Sequence, residues 1–197
     1  MRSKPRATPA RFVILFGMIQ AAGSFSAGAG TLIERTMAFV NKKPVLYSDV
    51  ALTRALLQLE EGDALERTID ESLMFDEASR LLNDSPSEDA IARAVLELQE
   101  KTGTGFSSSA LRRKALVQLA ISNYIDQRLR SLVRVEDAEV RKIFNEKMVN
   151  DPQPPAFSLF APSIRELLER RALDQRIEEW VGALRSRAEI RRPSPRP

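Results

Sequence analysis

The chain has 197 residues, 43% of them hydrophobic and 29% charged, which suits one domain or a helical domain with a short appendage; its eight Gly, eleven Pro and nine Phe exclude collagen-like, mucin-like and prion-like classes. The absence of both Cys and His excludes a structural zinc site of the usual kind, a thiol nucleophile, a Ser-His-Asp triad, an imidazole base and any disulfide framework, so stability has to come from packing. Thirty basic groups stand against 27 acidic ones, but four of the basic groups fall within the first 29 residues, so the remainder carries a formal charge of −1.

Those first residues read as a secretory signal peptide. Arg2, Lys4, Arg6 and Arg11 form a positive n-region, Phe12 to Ile19 begin an apolar h-region, and Ser26-Ala-Gly-Ala29 supplies the small residues for a cut after Ala29. An uncleaved anchor is the competing reading, but the run from Phe12 to Phe25 has 14 residues and includes Gln20, short of the roughly 20 that span a bilayer. The expected outcome is export with no stable membrane span after cleavage. The remaining charge is uneven: residues 30–100 hold 7 basic and 15 acidic side chains, and residues 101–197 hold 19 and 12. Halves of opposite sign favour packing against one another over binding nucleic acid.

After the leader, Thr36 to Asn41 alternates as a short strand, Asn41-Lys-Lys-Pro44 supplies turn chemistry, and Val45 to Tyr47 returns as a second strand. Ser48 stands where an N-cap belongs, with Asp49 in the first turn and Val50, Leu52, Ala55, Leu56 and Leu59 at helical spacing. Glu61-Gly-Asp63 reads as a break before a helix from about Ala64 to Leu82. Ser85-Pro86-Ser87-Glu88 has capping-box spacing with Pro at the first helical position, and Gly103-Thr-Gly105 ends the helix that follows. Ser107 to Ser109 offer caps for an apolar-rich helix reaching about Leu132, and Glu136 to Met148 reads as another short one.

The prolines at 152, 154 and 155 mark 150–161 as a linker. A final helix is expected from Pro162 or Ser163 to about Ala188, some 40 Å long, with Ile164, Leu168, Leu173, Ile177, Trp180, Val181 and Leu184 as its stripe. Glu189-Ile-Arg191 is expected to form a short strand against the N-terminal hairpin, and 193–197 a frayed, disordered tail. The expected fold is thus mainly α, with several helices, a small N-terminal β-hairpin, a closing C-terminal strand and one long C-terminal helix.

Little in this sequence carries reaction chemistry. Gly103-Thr-Gly-Phe106 lacks the Gly-Lys-Ser/Thr of a phosphate loop and reads as a turn, so no cofactor is expected. Glu60-Glu61, Asp70-Glu71 and Glu178-Glu179 are neighbours that point apart on a helix, and Ser48 with Lys42 or Lys43 makes a poorer dyad than Ser48 makes a cap. The clusters Arg112-Arg-Lys114, Arg170-Arg171 and Arg185 with Arg187, Arg191 and Arg192 could contact phosphates, but read as solvated helix faces. Trp180, spaced with Ile177 and Leu184, reads as core in preference to a ligand platform.

The most specific signal lies in the two ends. Met37-Ala-Phe-Val-Asn-Lys-Lys-Pro-Val-Leu-Tyr-Ser-Asp-Val50 and Arg176-Ile-Glu-Glu-Trp-Val-Gly-Ala-Leu-Arg-Ser-Arg-Ala-Glu-Ile190 flank, in order, Ile69-Asp-Glu-Ser-Leu-Met74, Glu97 to Ser107, Ile121 to Leu129 and Val133-Arg-Val-Glu-Asp-Ala-Glu-Val140. Together these segments resemble the N-terminal chaperone module of the SurA family of periplasmic folding factors, over nearly all of residues 34–191. Two departures keep their physical role: Glu136 replaces the usual Ser or Thr cap, and Ile143-Phe144 replaces an aromatic pair. In many relatives a parvulin-type prolyl isomerase domain is inserted before the last helix, whereas here that place holds only Lys147 to Ala161.

The resemblance implies a periplasmic, ATP-independent holdase for unfolded outer-membrane or secreted polypeptides, built as an apolar groove with no cofactor or metal. It implies no enzyme activity, because the inserted domain and its His-containing pocket have no counterpart. An envelope adaptor that uses the module to hold one folded partner is the alternative. Met74, Phe75, Tyr124, Phe144, Phe157 and Phe160 are the candidate client-binding residues, since Met and aromatic side chains adapt to varied apolar partners.

Overall fold

Two residues with positive φ, Asn41 at 48° and Lys42 at 72°, turn the chain back on itself. This is the tight connection whose twist matches that of paired strands, and Asn is among the residues that tolerate it. A computed structural model describes residues 34–81, 85–148 and 155–193. The proposed signal peptide, residues 150–154 of the expected linker and the last four residues of the tail lie outside the described residues.

Strands β1 (Thr36–Val40) and β2 (Lys43–Leu46) pair antiparallel, with a register shift between Thr36 and Ala38. A third strand, β3 (Ile190–Arg191), pairs antiparallel with the other edge of β1, giving the order β2-β1-β3. The closing strand expected from the sequence therefore forms. Asn41 ties both ends: its N–H donates to the Glu189 carbonyl at 2.9 Å and its side-chain oxygen accepts from the Glu189 N–H at 3.0 Å.

Among the described residues six α-helices follow the hairpin: α1 (Tyr47–Leu57), α2 (Glu61–Leu81), α3 (Glu88–Thr102), α4 (Ser108–Tyr124), α5 (Asp137–Met148) and α6 (Phe157–Ser186). The chain is mainly helical with one small sheet, as the pattern predicts. Several boundaries differ. The second strand begins at Lys43 and ends at Leu46, and Leu46 rather than Ser48 occupies the cap position of α1. Ser48 lies inside the helix, where the Glu34 carboxylate accepts from its N–H at 3.2 Å and its hydroxyl at 3.0 Å. A side chain from before the hairpin thus does the capping.

The break between α1 and α2 falls on Gln58, which adopts the left-handed conformation (φ 53°), while Gly62 lies in the first turn of α2. Ser87, not Ser85, caps α3 by accepting from the Ala90 N–H at 3.3 Å, and Ser107 caps α4 in the same way at 3.2 Å. Beyond Tyr124 the expected continuation to Leu132 exists, but as a wide-turn π segment (Ile125–Leu129) followed by a tight 3₁₀ turn (Arg130–Leu132).

The largest correction concerns α6. It begins at Phe157, inside the stretch 150–161 expected to be linker, and carries Pro162 within it. Proline removes the bond that Ser158 would accept, yet Phe157 packs edge-on against Phe144 at 5.3 Å between ring centres and joins a buried cluster of Val140, Phe144, Ile164 and Leu168. Packing of the first turn outweighs the lost hydrogen bond. With 30 residues, α6 spans about 45 Å.

That length lets α6 serve two cores. Its C-terminal half brings Leu184, with Trp180 and Val181, to the main core formed by β1, α2 and α4. Its N-terminal half packs with α5 in the cluster around Phe144. A third cluster, Leu52, Ile91, Leu98, Leu111 and Ala115, joins α3 to α1 and α4.

Opposite charge in the two sequence halves becomes contact. Arg112 pairs with Glu88 at 2.7 Å, Arg113 with Asp49 at 2.9 Å and Arg187 with Glu77 at 3.4 Å, while Arg185 bonds Asp70 and Glu66, and Arg192 bonds Glu66.

Candidate functional site

Lys114 stands one position past two exposed arginines on α4, but helical rotation turns it inward, and its side chain is 5% exposed. Its ammonium donates to Glu71 of α2 and to the Thr53 hydroxyl of α1 at 2.8 Å, and the Thr68 hydroxyl lies 3.0 Å from Thr53. Three helices thus meet around one buried ion pair. A charge out of water is tolerated when paired and hydrogen-bonded, and leaving one partner alone costs far more than the pair contributes. Reading Lys114 as part of a solvated basic face was wrong, because three consecutive residues span most of a helical turn.

This ion pair separates two cavities. On one side, a small cavity of about 180 Å³ is walled by Pro44, Val45, Phe75, Leu116 and Val117. On the other, a cavity of about 400 Å³ opens between α1, α2, α4, the π segment and α6. Glu71 and Lys114 line both. The larger cavity has an apolar floor that includes Leu57, Met74, Ile121, Ile125, Leu173 and Ile177. It shares Arg130 and Leu173 with a further cavity of about 420 Å³, lined also by Val133, Glu166, Glu169 and Arg170. The two together make one groove along the middle of α6.

The groove's wall is the irregular end of α4. π segments inside helices recur at functional sites, because the wide turn redirects side chains that a regular helix would bury. Here it places Ile125 and Asp126 on the groove, and Arg130 at the start of the 3₁₀ turn joins them, donating to Asp126 at 2.9 Å. Directly before it, Tyr124 stacks on Trp180 with ring centres 4.6 Å apart and planes 17° from parallel. Trp180 therefore belongs to the core side of the sequence's two readings. Its indole N–H is buried and has no partner among the described residues.

The six candidate client residues go to four places. Met74 is 2% exposed and forms part of the groove floor. Phe75 lines the small cavity on the other side of the ion pair. Tyr124 is 8% exposed, in the stack with Trp180. Phe144, Phe157 and Phe160 gather around the start of α6, where Phe144 is buried, Arg141 lies over Phe157 at 4.6 Å, and Phe160 is 40% exposed beside Leu159 at 71%. Only Met74 lies on the groove. The aliphatic residues Ile125, Leu173 and Ile177, which line it, carry the same helical spacing as core residues and no signal that sets them apart.

Two carboxylates near these elements shift in opposite directions. Burial outweighs the Arg113 guanidinium and raises the Asp49 carboxyl above its ordinary value of 3.8. At Glu66 burial also acts upward, but hydrogen bonds and charge from Arg185 and Arg192 overcome it and hold the carboxyl below its ordinary 4.5. Neither faces a nucleophile. Ser48 is held by Glu34 and by Arg113 at 3.1 Å, while Lys43 is drawn to Asp76 at 2.6 Å, so no Ser48–Lys43 dyad assembles. Asp70 and Glu71 turn to different helices, α6 and α4.

Among the described residues no group of His, Cys, Asp and Glu side chains is arranged to hold a metal ion, and no helix is long and apolar enough to cross a membrane. No family model and no curated protein sequence matches the chain.

Proposed function

We propose that this protein is a periplasmic, ATP-independent chaperone of the SurA N-terminal type, which holds unfolded outer-membrane or secreted polypeptides in the groove along α6. The observation that carries the reading is that groove: an apolar lining in which Leu57, Ile125 and Ile177 stay accessible above the buried Met74, Ile121 and Leu173, with charged side chains at its rim. A holdase needs apolar surface that remains accessible without collapsing, with a polar rim to keep the carrier soluble. The ordered segments that resemble the SurA module, and the leader read in the first 29 residues, support the same reading. No catalytic residue is required, and no prolyl isomerase activity is expected.

The direct test is suppression of aggregation of an unfolded outer-membrane protein; no suppression at several-fold excess over client refutes the reading. A proline-isomerisation assay on a short peptide is expected to stay at the uncatalysed rate. The exposed Leu159 and Phe160 favour a second reading, an envelope adaptor that docks one folded partner. Crosslinking in cells separates them, since many unfolded clients mark a holdase and one stoichiometric partner marks an adaptor.

A further inference from the structure

The groove is not electrically uniform along its length. In the cavity nearer the main core, the single carboxylate of Glu71 serves two cations: it bonds buried Lys114, and Arg67 approaches it at 3.7 Å with its side chain 46% exposed. That Arg67 contact is longer than a hydrogen bond, so its guanidinium keeps donors for a ligand. In the second cavity, Arg130 is bonded to Asp126 at 2.9 Å and Arg170 to Glu166 at 2.7 Å. Glu169, which also lines it, has no ion-pair partner among the described residues. Arg67 lines only the first cavity and Glu169 only the second, while Leu173 and the paired Arg130 line both.

Resting on the chaperone reading, we propose that this groove selects an extended segment of about five residues that has an apolar centre, an acidic group toward Arg67 and a basic group toward Glu169. The length follows from α6: Ile177 and Glu166, at opposite ends of the lining, are eleven residues apart, about 16 Å of helix. Extended chain covers that distance in about five residues. Polarity follows from the two charges left over after local pairing. An apolar centre makes contact with the half-buried Ile125 and Ile177, and each matched end adds an exposed ion pair worth about threefold in affinity. A segment with two like-charged ends matches one site and is repelled at the other.

The full chain is titrated by fluorescence anisotropy with three blocked, dye-labelled peptides that share one apolar centre and end in Asp and Lys, Asp and Asp, or Lys and Lys. The mixed-ended peptide is expected to bind about tenfold more tightly than either like-ended one at low salt, and the preference is expected to shrink as salt screens it. Arg67→Gln is expected to abolish the preference over the Lys-and-Lys peptide while leaving that over the Asp-and-Asp peptide at about tenfold, and Glu169→Gln to do the reverse; both positions are exposed, and neither change is expected to move the melting temperature. Equal binding of the three peptides, or tighter binding of a like-ended one, overturns the charge-polarised groove while leaving the holdase reading in place. Binding by none of them, together with no suppression of client aggregation, overturns both.

Discussion

The two halves of α6 rest on different kinds of core. Its C-terminal half joins ten buried residues drawn from the sheet, α1, α2, α4 and α6 itself, reinforced by ion pairs to residues more than a hundred positions away. Among the described residues its N-terminal half packs mainly on α5 and on Val135 just before it, around four buried residues, with Arg165 donating to the Val135 carbonyl at 2.8 Å. A small cluster supported from one side gives up few contacts on opening, and such units open below the global unfolding free energy. One helix is thus anchored at one end and more lightly held at the other, with the groove at the junction.

The largest effect is expected at the anchored end. Lys114→Met leaves the buried Glu71 with only the longer Arg67 contact at 3.7 Å and is expected to cost about 3 kcal/mol, read by chemical denaturation. The double variant Lys114→Met with Glu71→Leu is expected to recover most of that loss; if it does not, the pair acts through more than charge burial. Trp180→Ala is expected to cost about 3 kcal/mol in the same measurement, at the low end for a large aromatic because the residue is only partly buried. Phe144→Ala sharpens the contrast: amide exchange in α5 is expected to speed by about 100-fold while the main transition barely moves. An equal drop in global stability would show that the two ends form one cooperative unit.

Removing Ala188 to Pro197 takes away β3, the Asn41–Glu189 bonds and the Arg192–Glu66 pair, and is expected to lower stability by about 2 kcal/mol. An unchanged melting temperature would show that the closing strand adds nothing. The smallest effect is electrostatic. Glu66 has its folded pKa depressed, so the stability it contributes is present above the ordinary carboxylate value of 4.5 and is lost as pH falls through the folded value. Asp49, whose folded pKa is raised, contributes in the opposite sense: its stabilisation is complete below 3.8 and is lost as pH rises through the folded value. Glu66→Gln is expected to flatten acid destabilisation by only a few tenths of a kcal/mol, since the side chain is substantially exposed, and Asp49→Asn to steepen it.

Much of the framework was legible because it is written locally. Alternation marked β1, Asn41 marked the turn, Ser107 marked the start of α4, and Ile190 followed a helix whose length could return it to the hairpin. The errors share one cause. Ser48, Ser85 and Pro162 each carry a strong local preference for a helix start, and each was overruled by a partner distant in sequence or a competing neighbour: Glu34 for Ser48, Ser87 for Ser85, Phe144 for the turn before Pro162. Helical spacing puts Lys114 on the same face as Leu111 and Ala115, but a lysine is buried there only because Glu71 and Thr53, distant in sequence, meet its ammonium. The groove was the least legible element, because the half-buried Ile125 and Ile177 that line it carry the same helical spacing as the buried Leu173 beside them.

By itself, then, the sequence determined that no thiol or imidazole is present, roughly which segments are helical, that the two ends meet, and that acidic and basic halves attract. These depend on residue type, on periodicity and on net charge, which are properties of the chain. Only the tertiary structure decided which cation is buried, where α6 begins and which apolar side chains line a groove. Those outcomes depend on which faces of distant helices close against one another, and burial is a property of that closure.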